Sequence, residues 1–149
     1  MILTIWRDWI AAFDKAFETG DWTKLGDFLA DDVVYIVAGA PFACELRGRD
    51  AVIAGFKKSL TNFDKKFDER RWEAVDLRVW EDHAITGFAK GDYVLNGKPP
   101  ITFSAKSHWF FRDGKISVMT DVYDLTQTQV QETLEWLAEH GADMDASYV

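Results

Sequence analysis

Apolar residues at the start of the chain fall three and four positions apart. Ile2, Ile5, Trp6, Trp9, Ile10, Phe13 and Phe17 form one stripe, with Arg7, Asp8, Asp14, Lys15 and Glu18 between them. This spacing predicts an amphipathic helix with an aromatic inner face. Gly20 suits its stop, and Asp21 offers a side-chain oxygen to cap a second, shorter helix carrying Trp22, Leu25, Phe28 and Leu29. The β-branched and aromatic run Val33 to Val37 predicts a strand ended by Gly39 and Pro41, with Tyr35 and Val37 on one face. Gly48-Arg49-Asp50 opens a third helix, with Asp50 as its cap and Val52, Ile53, Phe56, Leu60 and Phe63 as its buried stripe.

From Glu69 the period changes to two. Arg70, Trp72 and Ala74 alternate, and then the phase slips to Val75, Leu77 and Val79, which predicts a bulge near Ala74 that bends the strand. Glu81-Asp82-His83 makes a turn, Ala84 to Leu95 a strand, and Asn96-Gly97 a hairpin into Ile101 to Arg112. Asp113-Gly114 turns again into Lys115 to Tyr123. Thr128 to His140 closes as a helix with Val130, Leu134 and Leu137 on its stripe and Gly141 as its stop, followed by a loose tail from Ala142 to Val149. The order is three helices with one strand after the second, a four-strand antiparallel meander and a final helix. That is an α+β arrangement, with residues 1–149 expected to form a single domain.

Composition narrows the function classes. The chain has 149 residues, with 25 acidic against 17 basic side chains and a net charge of −8, and no basic cluster able to track a phosphate backbone. Nucleic acid is therefore not an expected partner. The longest apolar run, Val33 to Cys44, is broken by Gly39 and Pro41 and falls short of the ~20 residues a membrane helix needs, so no membrane crossing is expected. The single Cys44 has no partner for an internal disulfide, and the N-terminal stretch lacks the pattern of a secretion signal, which together suggest a cytoplasmic protein. Seven Trp and eleven Phe exceed what one small core needs; a lined pocket or an oligomer interface would use them. The three His are scattered, and neither a phosphate-binding glycine loop nor a nucleophile elbow is present, so neither a metal nor a cofactor is implied.

Gly20-Asp21-Trp22, Gly48-Arg49-Asp50-Ala51-Val52 and Asp113-Gly114-Lys115-Ile116, in this element order, resemble the SnoaL-like, nuclear-transport-factor-2-like superfamily from about Trp6 to Leu125. The resemblance implies a cone-shaped, strongly curved mixed sheet wrapped by N-terminal helices around an apolar pocket. It also implies a homodimer formed through the outer sheet face. Members include ketosteroid isomerases, polyketide cyclases, scytalone dehydratase-like enzymes, limonene epoxide hydrolases and noncatalytic binding modules, so the fold alone does not fix the activity. Thr120-Asp121-Val122-Tyr123-Asp124-Leu125 is similar to the last strand of the limonene-epoxide-hydrolase branch, where the equivalent of Asp121 works on water. Lys90-Gly91-Asp92 stands where that branch carries an Arg-x-Asp pair, and Tyr35 stands where it has a water-positioning Tyr. Two positions depart from the branch: Val37 replaces an Asn, and Lys90 replaces the Arg.

Alternation supplies an independent argument. Met119, Asp121 and Tyr123 share one strand face, and Phe88, Lys90, Asp92 and Val94 share another. A carboxyl among large apolar groups has its pKa raised, and a second carboxylate nearby separates the two titrations, so one acts as base while the other holds a proton. The expected site has Asp121 as base, Asp92 as acid, Lys90 tuning the pair and Tyr35 holding a water or substrate oxygen. Val37, Phe56, Phe88, Phe103, Ala105, Met119 and Tyr123 are expected to line its pocket. Blander assignments stay open: Thr120 inside with Asp121 outside, Lys90 and Asp92 as a solvated salt bridge, and Tyr35 as a core aromatic. His108 is expected on the outer sheet surface, opposite Ser107 and Trp109. The expected ligand is a small hydrophobic molecule. The expected function is cofactor-independent acid–base catalysis of the epoxide hydrolase or isomerase and cyclase kind, or else a noncatalytic binding or dimerisation module.

Overall fold

The computed structural model describes residues 1–39 and 42–149. The stop assigned to Pro41 lies outside them. Helix α1 spans Ile2–Thr19 and buries Ile2, Trp9 and Ala16; it ends where Gly20 takes a left-handed conformation (φ 75°) and donates its N–H to the Ala16 carbonyl. The expected second helix is a short 3-10 segment, Thr23–Phe28. Asp21 serves its start by accepting the Thr23 N–H at 3.1 Å. Leu29 belongs instead to strand β1, Leu29–Ala38, which is longer than Val33–Val37 at both ends.

A short strand not anticipated from the sequence, β2 (Cys44–Arg47), pairs antiparallel with β1. Its four residues are too few to show a period. Helix α2 runs Arg49–Asn62, and its N-cap is Gly48 at φ 91°, not Asp50, which falls in the first turn. After a 3-10 turn at Asp64–Lys66 come β3 (Glu69–Trp80), β4 (Ala84–Val94), β5 (Ile101–Arg112) and β6 (Lys115–Val122). The β3/β4 register slips between Ala74 and Asp76, where the phase change in the sequence placed a bulge. Helix α3, Thr128–His140, buries Val130, Thr133 and Trp136, a face rotated slightly from the expected stripe. The Trp136 indole N–H bonds the Pro99 carbonyl at 2.8 Å, which ties α3 to the hairpin between β4 and β5.

The six strands form one mixed sheet in the order β2-β1-β6-β5-β4-β3, and β1 runs parallel to β6. The α+β architecture with N-terminal helices over a curved sheet is the one anticipated. Gly39 marks the crossing of β1 past the end of β6. It sits at φ 106°, and a Cβ there would lie 2.4 Å from the Tyr123 carbonyl oxygen, so no larger residue fits the approach. The neighbouring bond, Tyr123 N–H to the Ala38 carbonyl at 2.8 Å, extends the β6 face pattern to Tyr123. On the outer sheet face, Phe88, Phe110 and Val122 are exposed, and His108 sits beside Thr120, with Nδ1 and Oγ1 2.8 Å apart. No helix among the described residues is long and apolar enough to cross a membrane.

Candidate functional site

The concave face of the sheet, α1 and α2 enclose a cavity of about 240 Å³. Its walls are mainly aromatic, and the reason lies partly in β4. The inward residues of that strand are Gly87, Ala89, Gly91 and Tyr93. A Cβ on Gly91 would stand 2.7 Å from the Trp72 ring, and one on Gly87 would stand 3.2 Å from Leu77. Small residues on β4 thus make room for large ones projecting from β3, β5 and α1. Trp6 meets Trp109 edge-on at 5.4 Å, and Phe13 meets Phe56 at 5.4 Å, within the usual range of aromatic pairs. Exposed lining residues lie at Asp14 on α1 and at Glu73, Ala74 and Phe88 around the β3 bulge, where the cavity reaches solvent.

Asp121 lines this cavity from β6, on the same face as Met119 and Tyr123. One carboxylate oxygen, Oδ2, accepts the Tyr35 hydroxyl at 2.6 Å, and the other, Oδ1, accepts the Ser107 hydroxyl. Ser107 is directly opposite Asp121 in the β5/β6 register, which is why a residue distant in sequence reaches it. Burial pushes the Asp121 carboxyl above its ordinary range; the Ser107 and Tyr35 hydrogen bonds and, to a lesser extent, the neighbouring His108 oppose that shift without cancelling it. Burial and the Asp121 charge push the Tyr35 phenol far upward, so it remains a protonated donor. Among the described residues no Lys, Arg or His forms an ion pair with Asp121. The result is an ionisable carboxylate set in an apolar wall, steadied by two neutral hydroxyls.

The expected second carboxylate is elsewhere. Asp92 and Lys90 are on the outer face of β4, 3.6 Å apart and with side chains 43% and 47% exposed. Thr102, across the strand, donates to Asp92 at 2.6 Å. This corrects the paired-acid arrangement. Register places Ser107 against both Asp121 and Gly87, so the face of β4 that shares the cavity is that of Gly87, and Phe88, Lys90 and Asp92 are turned away. Phe88 is 44% exposed and touches only the cavity edge. Val37 is buried beside Asp121 in the β1/β6 register but does not line the cavity. Tyr35, Phe56, Phe103, Ala105, Met119 and Tyr123 do.

A model of the SnoaL-like domain matches residues 8–119, about three quarters of the chain. The chain belongs to the SnoaL-like family. Solved structures share its fold at low identity. An NTF2-like protein from Anabaena variabilis is 16% identical with a TM-score of 0.61, over 82% of this chain and 88% of its own. An LEH-like epoxide hydrolase from M. tuberculosis is 16% identical with a TM-score of 0.60, over 89% and 93%. A protein of ketosteroid isomerase-like fold from Catenulispora acidiphila, in complex with trimethylamine, is 20% identical with a TM-score of 0.57, over 79% and 86%. No curated protein matches the sequence.

This SnoaL-like chain carries two further groups of cavity residues that were not anticipated. Asp64, from the turn after α2, accepts the Arg70 Nε–H at 2.5 Å and the Tyr93 hydroxyl at 2.8 Å, and the Trp72 indole N–H donates to Tyr93 at 2.7 Å. Trp72, Arg70 and Ala74 alternate in the sequence, so β3 placed these side chains on one face, but nothing in the pattern showed Asp64 meeting them. The second group comes from the tail, which is not loose. Ser59 donates to the Ala146 carbonyl at 2.8 Å, Asp145 N–H to the Asn62 carbonyl at 3.1 Å, and Lys58 Nζ to the Ser147 hydroxyl at 2.8 Å. These bonds lay the tail along α2 and bring the Tyr148 hydroxyl to 3.4 Å from that of Tyr35. The tail has no period, so its anchoring left no mark on the hydrophobic pattern. Among the described residues no group of three His, Cys, Asp or Glu side chains is placed to hold a metal ion.

Proposed function

We propose that this chain is a cofactor-independent acid–base enzyme acting on a small hydrophobic substrate, with Asp121 as general base. The observation that carries the reading is the Asp121 carboxylate, held by Tyr35 and Ser107 in the wall of an aromatic cavity with no ion-pair partner among the described residues. A base whose pKa is raised by burial accepts a proton more readily once ionised, and the two hydroxyls fix where its lone pairs point. With Asp92 on the far face of the sheet and Asp64 held by Arg70, Asp121 is the inner-wall carboxylate without an ion-pair partner; Asp14 and Glu73 are exposed where the cavity reaches solvent. Removal of a proton next to a carbonyl, as in isomerases and cyclases, needs one base. Epoxide opening by water also needs an acid to protonate the leaving oxygen; Asp92 does not reach it, and burial holds the Tyr123 phenol far above its ordinary pKa, which leaves it a hydrogen-bond donor but a weak acid. The isomerase or cyclase form of the reading is therefore preferred over the hydrolase form.

Exchange of the α-hydrogens of 2-tetralone in D2O, followed by proton NMR, tests this directly, with an aryl epoxide assayed alongside. The wild type should exchange the ketone faster than buffer, and Asp121→Asn should return the rate to background. Unchanged exchange in Asp121→Asn would refute the assignment. Binding without exchange or ring opening would make the protein a ligand-binding module.

A further inference from the structure

A cavity that holds an oxygenated ligand needs a donor not already committed to the protein. Six hydroxyls line this cavity: those of Tyr35, Ser59, Tyr93, Ser107, Tyr123 and Tyr148. Tyr35 and Ser107 are committed to Asp121, Tyr93 to Asp64, and Ser59 to the Ala146 carbonyl. Tyr148 lies against the Tyr35 oxygen. The hydroxyl of Tyr123 alone has no hydrogen-bond partner among the described residues, although the side chain is only 9% exposed. Its oxygen is not among the enclosed unpartnered atoms of the described residues, so water or a ligand in the cavity that Tyr123 lines can reach it. Of the nitrogen donors, the Trp6 indole N–H is enclosed, Trp72 donates to Tyr93 and Arg70 to Asp64; those of Trp9 and Trp109 also have no hydrogen-bond partner among the described residues, but Tyr123 is the one of these donors on the strand that carries Asp121.

We infer that Tyr123 is the ligand-oxygen donor of this cavity: its hydroxyl binds the carbonyl-type oxygen of a small aromatic or alicyclic ligand placed between it and Asp121. Three observations beyond the missing partner support this. Asp121 and Tyr123 are two residues apart on one face of the same strand, so both project into the cavity within the span of a single small molecule. The ring is fixed by Phe42, at 4.8 Å between centroids, and by Phe103, at 5.8 Å, so the donor is positioned before the ligand arrives. The phenol also stays protonated, because burial and then the Asp121 charge hold its pKa far above the ordinary value. A donor beside a carboxylate selects a ligand that presents an acceptor to one and a C–H or O–H to the other, which narrows the substrate class to ketones and related carbonyl compounds. In the proposed reaction, a Tyr123 donor would stabilise the oxygen on which charge develops as Asp121 takes the proton. The substrate class rests on the general-base reading; the donor role of Tyr123 does not.

The test uses 9-fluorenone and its oxygen-free counterpart fluorene. Fluorenone has no α-hydrogen, so its binding does not depend on Asp121 acting as a base. Affinities are read by tryptophan quenching for the wild type and Tyr123→Phe, and the carbonyl stretch of bound fluorenone is read by difference infrared spectroscopy. The preference of the wild type for fluorenone over fluorene should fall about tenfold in Tyr123→Phe, the scale of one hydrogen bond. The carbonyl band should move to higher frequency as the donor is lost. Three results would overturn the inference: an unchanged preference and band, equal weakening of both ligands as from a damaged pocket, or no binding of either by the wild type. If the Tyr123 result stands while 2-tetralone exchange fails, the chain binds carbonyl ligands without turning them over.

Discussion

Two of the carboxylates that line the cavity, Asp121 and Asp64, each accept a tyrosine hydroxyl. Tyr35 donates to Asp121 at 2.6 Å and Tyr93 donates to Asp64 at 2.8 Å. They differ in the second partner. Asp64 has the Arg70 guanidinium, whereas Asp121 has only the Ser107 hydroxyl. Arg70 and Asp64 are also both well buried, with side chains 15% and 9% exposed. A carboxylate locked to a cation has its lone pairs used, which suits an anchor joining the turn after α2 to β3. A carboxylate steadied by neutral donors keeps a raised proton affinity and can exchange a proton with a ligand. The same residue type, in one cavity and with one shared kind of partner, is made structural or reactive by whether a charge sits beside it.

That contrast is broken most severely at Asp121. Asp121→Asn is expected to lower α-proton exchange by about 10²- to 10⁴-fold, the usual contribution of a positioned base, while the far-ultraviolet circular dichroism spectrum stays unchanged. The equivalent change at the other site should invert the pattern. Asp64→Asn leaves Arg70 buried without its counterion, and urea unfolding should show a loss of about 3–5 kcal/mol. Where the variant remains folded, its exchange rate should stay within the same order of magnitude as the wild type. If Asp64→Asn instead abolished exchange at full stability, the division into an anchor and a reactive site would fail.

The pH dependence sharpens the comparison. In the unfolded chain Asp121 titrates near 3.8, and in the folded protein burial raises it. Below 3.8 the group is protonated in both states and costs nothing. As pH climbs from 3.8 through the folded pKa, the unfolded chain ionises first, so folding loses stability over that window and the loss then levels off. The wild type should therefore lose stability relative to Asp121→Asn across this range, measured by urea midpoints at successive pH values. The rate of α-proton exchange should rise over the same range as the base ionises. A rate limb at the ordinary aspartate pKa would show that the carboxylate is solvated and not held in the apolar wall.

Most of the frame was readable from periodicity, and the errors have specific causes. The bulge of β3, the meander and the face shared by Met119, Asp121 and Tyr123 follow from alternation, because a period of two fixes which residues share a side. Alternation does not say which side is inner. On β4 the resemblance to an Arg-x-Asp pair implied that Lys90 and Asp92, with Phe88, share the inner face, but the inner face is that of Gly87, Ala89 and Gly91, whose small size admits the rings of Trp72 and Trp109. That one-residue inversion moved Asp92 and Lys90 out of the site. Ser107 became visible only through register. Asp64 and Tyr148 depend on contacts between a turn or a tail and distant strands, which leave no periodic trace.

The smallest predicted effect follows from the same inversion. Lys90 and Asp92 lie 3.6 Å apart with nearly half of each side chain exposed, and Thr102 already supplies the nearer partner of Asp92. An ion pair in such a setting contributes between nothing and about 1 kcal/mol, because solvent screens it and holding long side chains in place costs entropy. Asp92→Asn should therefore shift the urea midpoint slightly and leave both tetralone exchange and fluorenone binding as in the wild type. A large loss of exchange in Asp92→Asn would mean that the outer face of β4 takes part in chemistry after all. It would also remove the basis for regarding Asp121 as the carboxylate that the reaction uses.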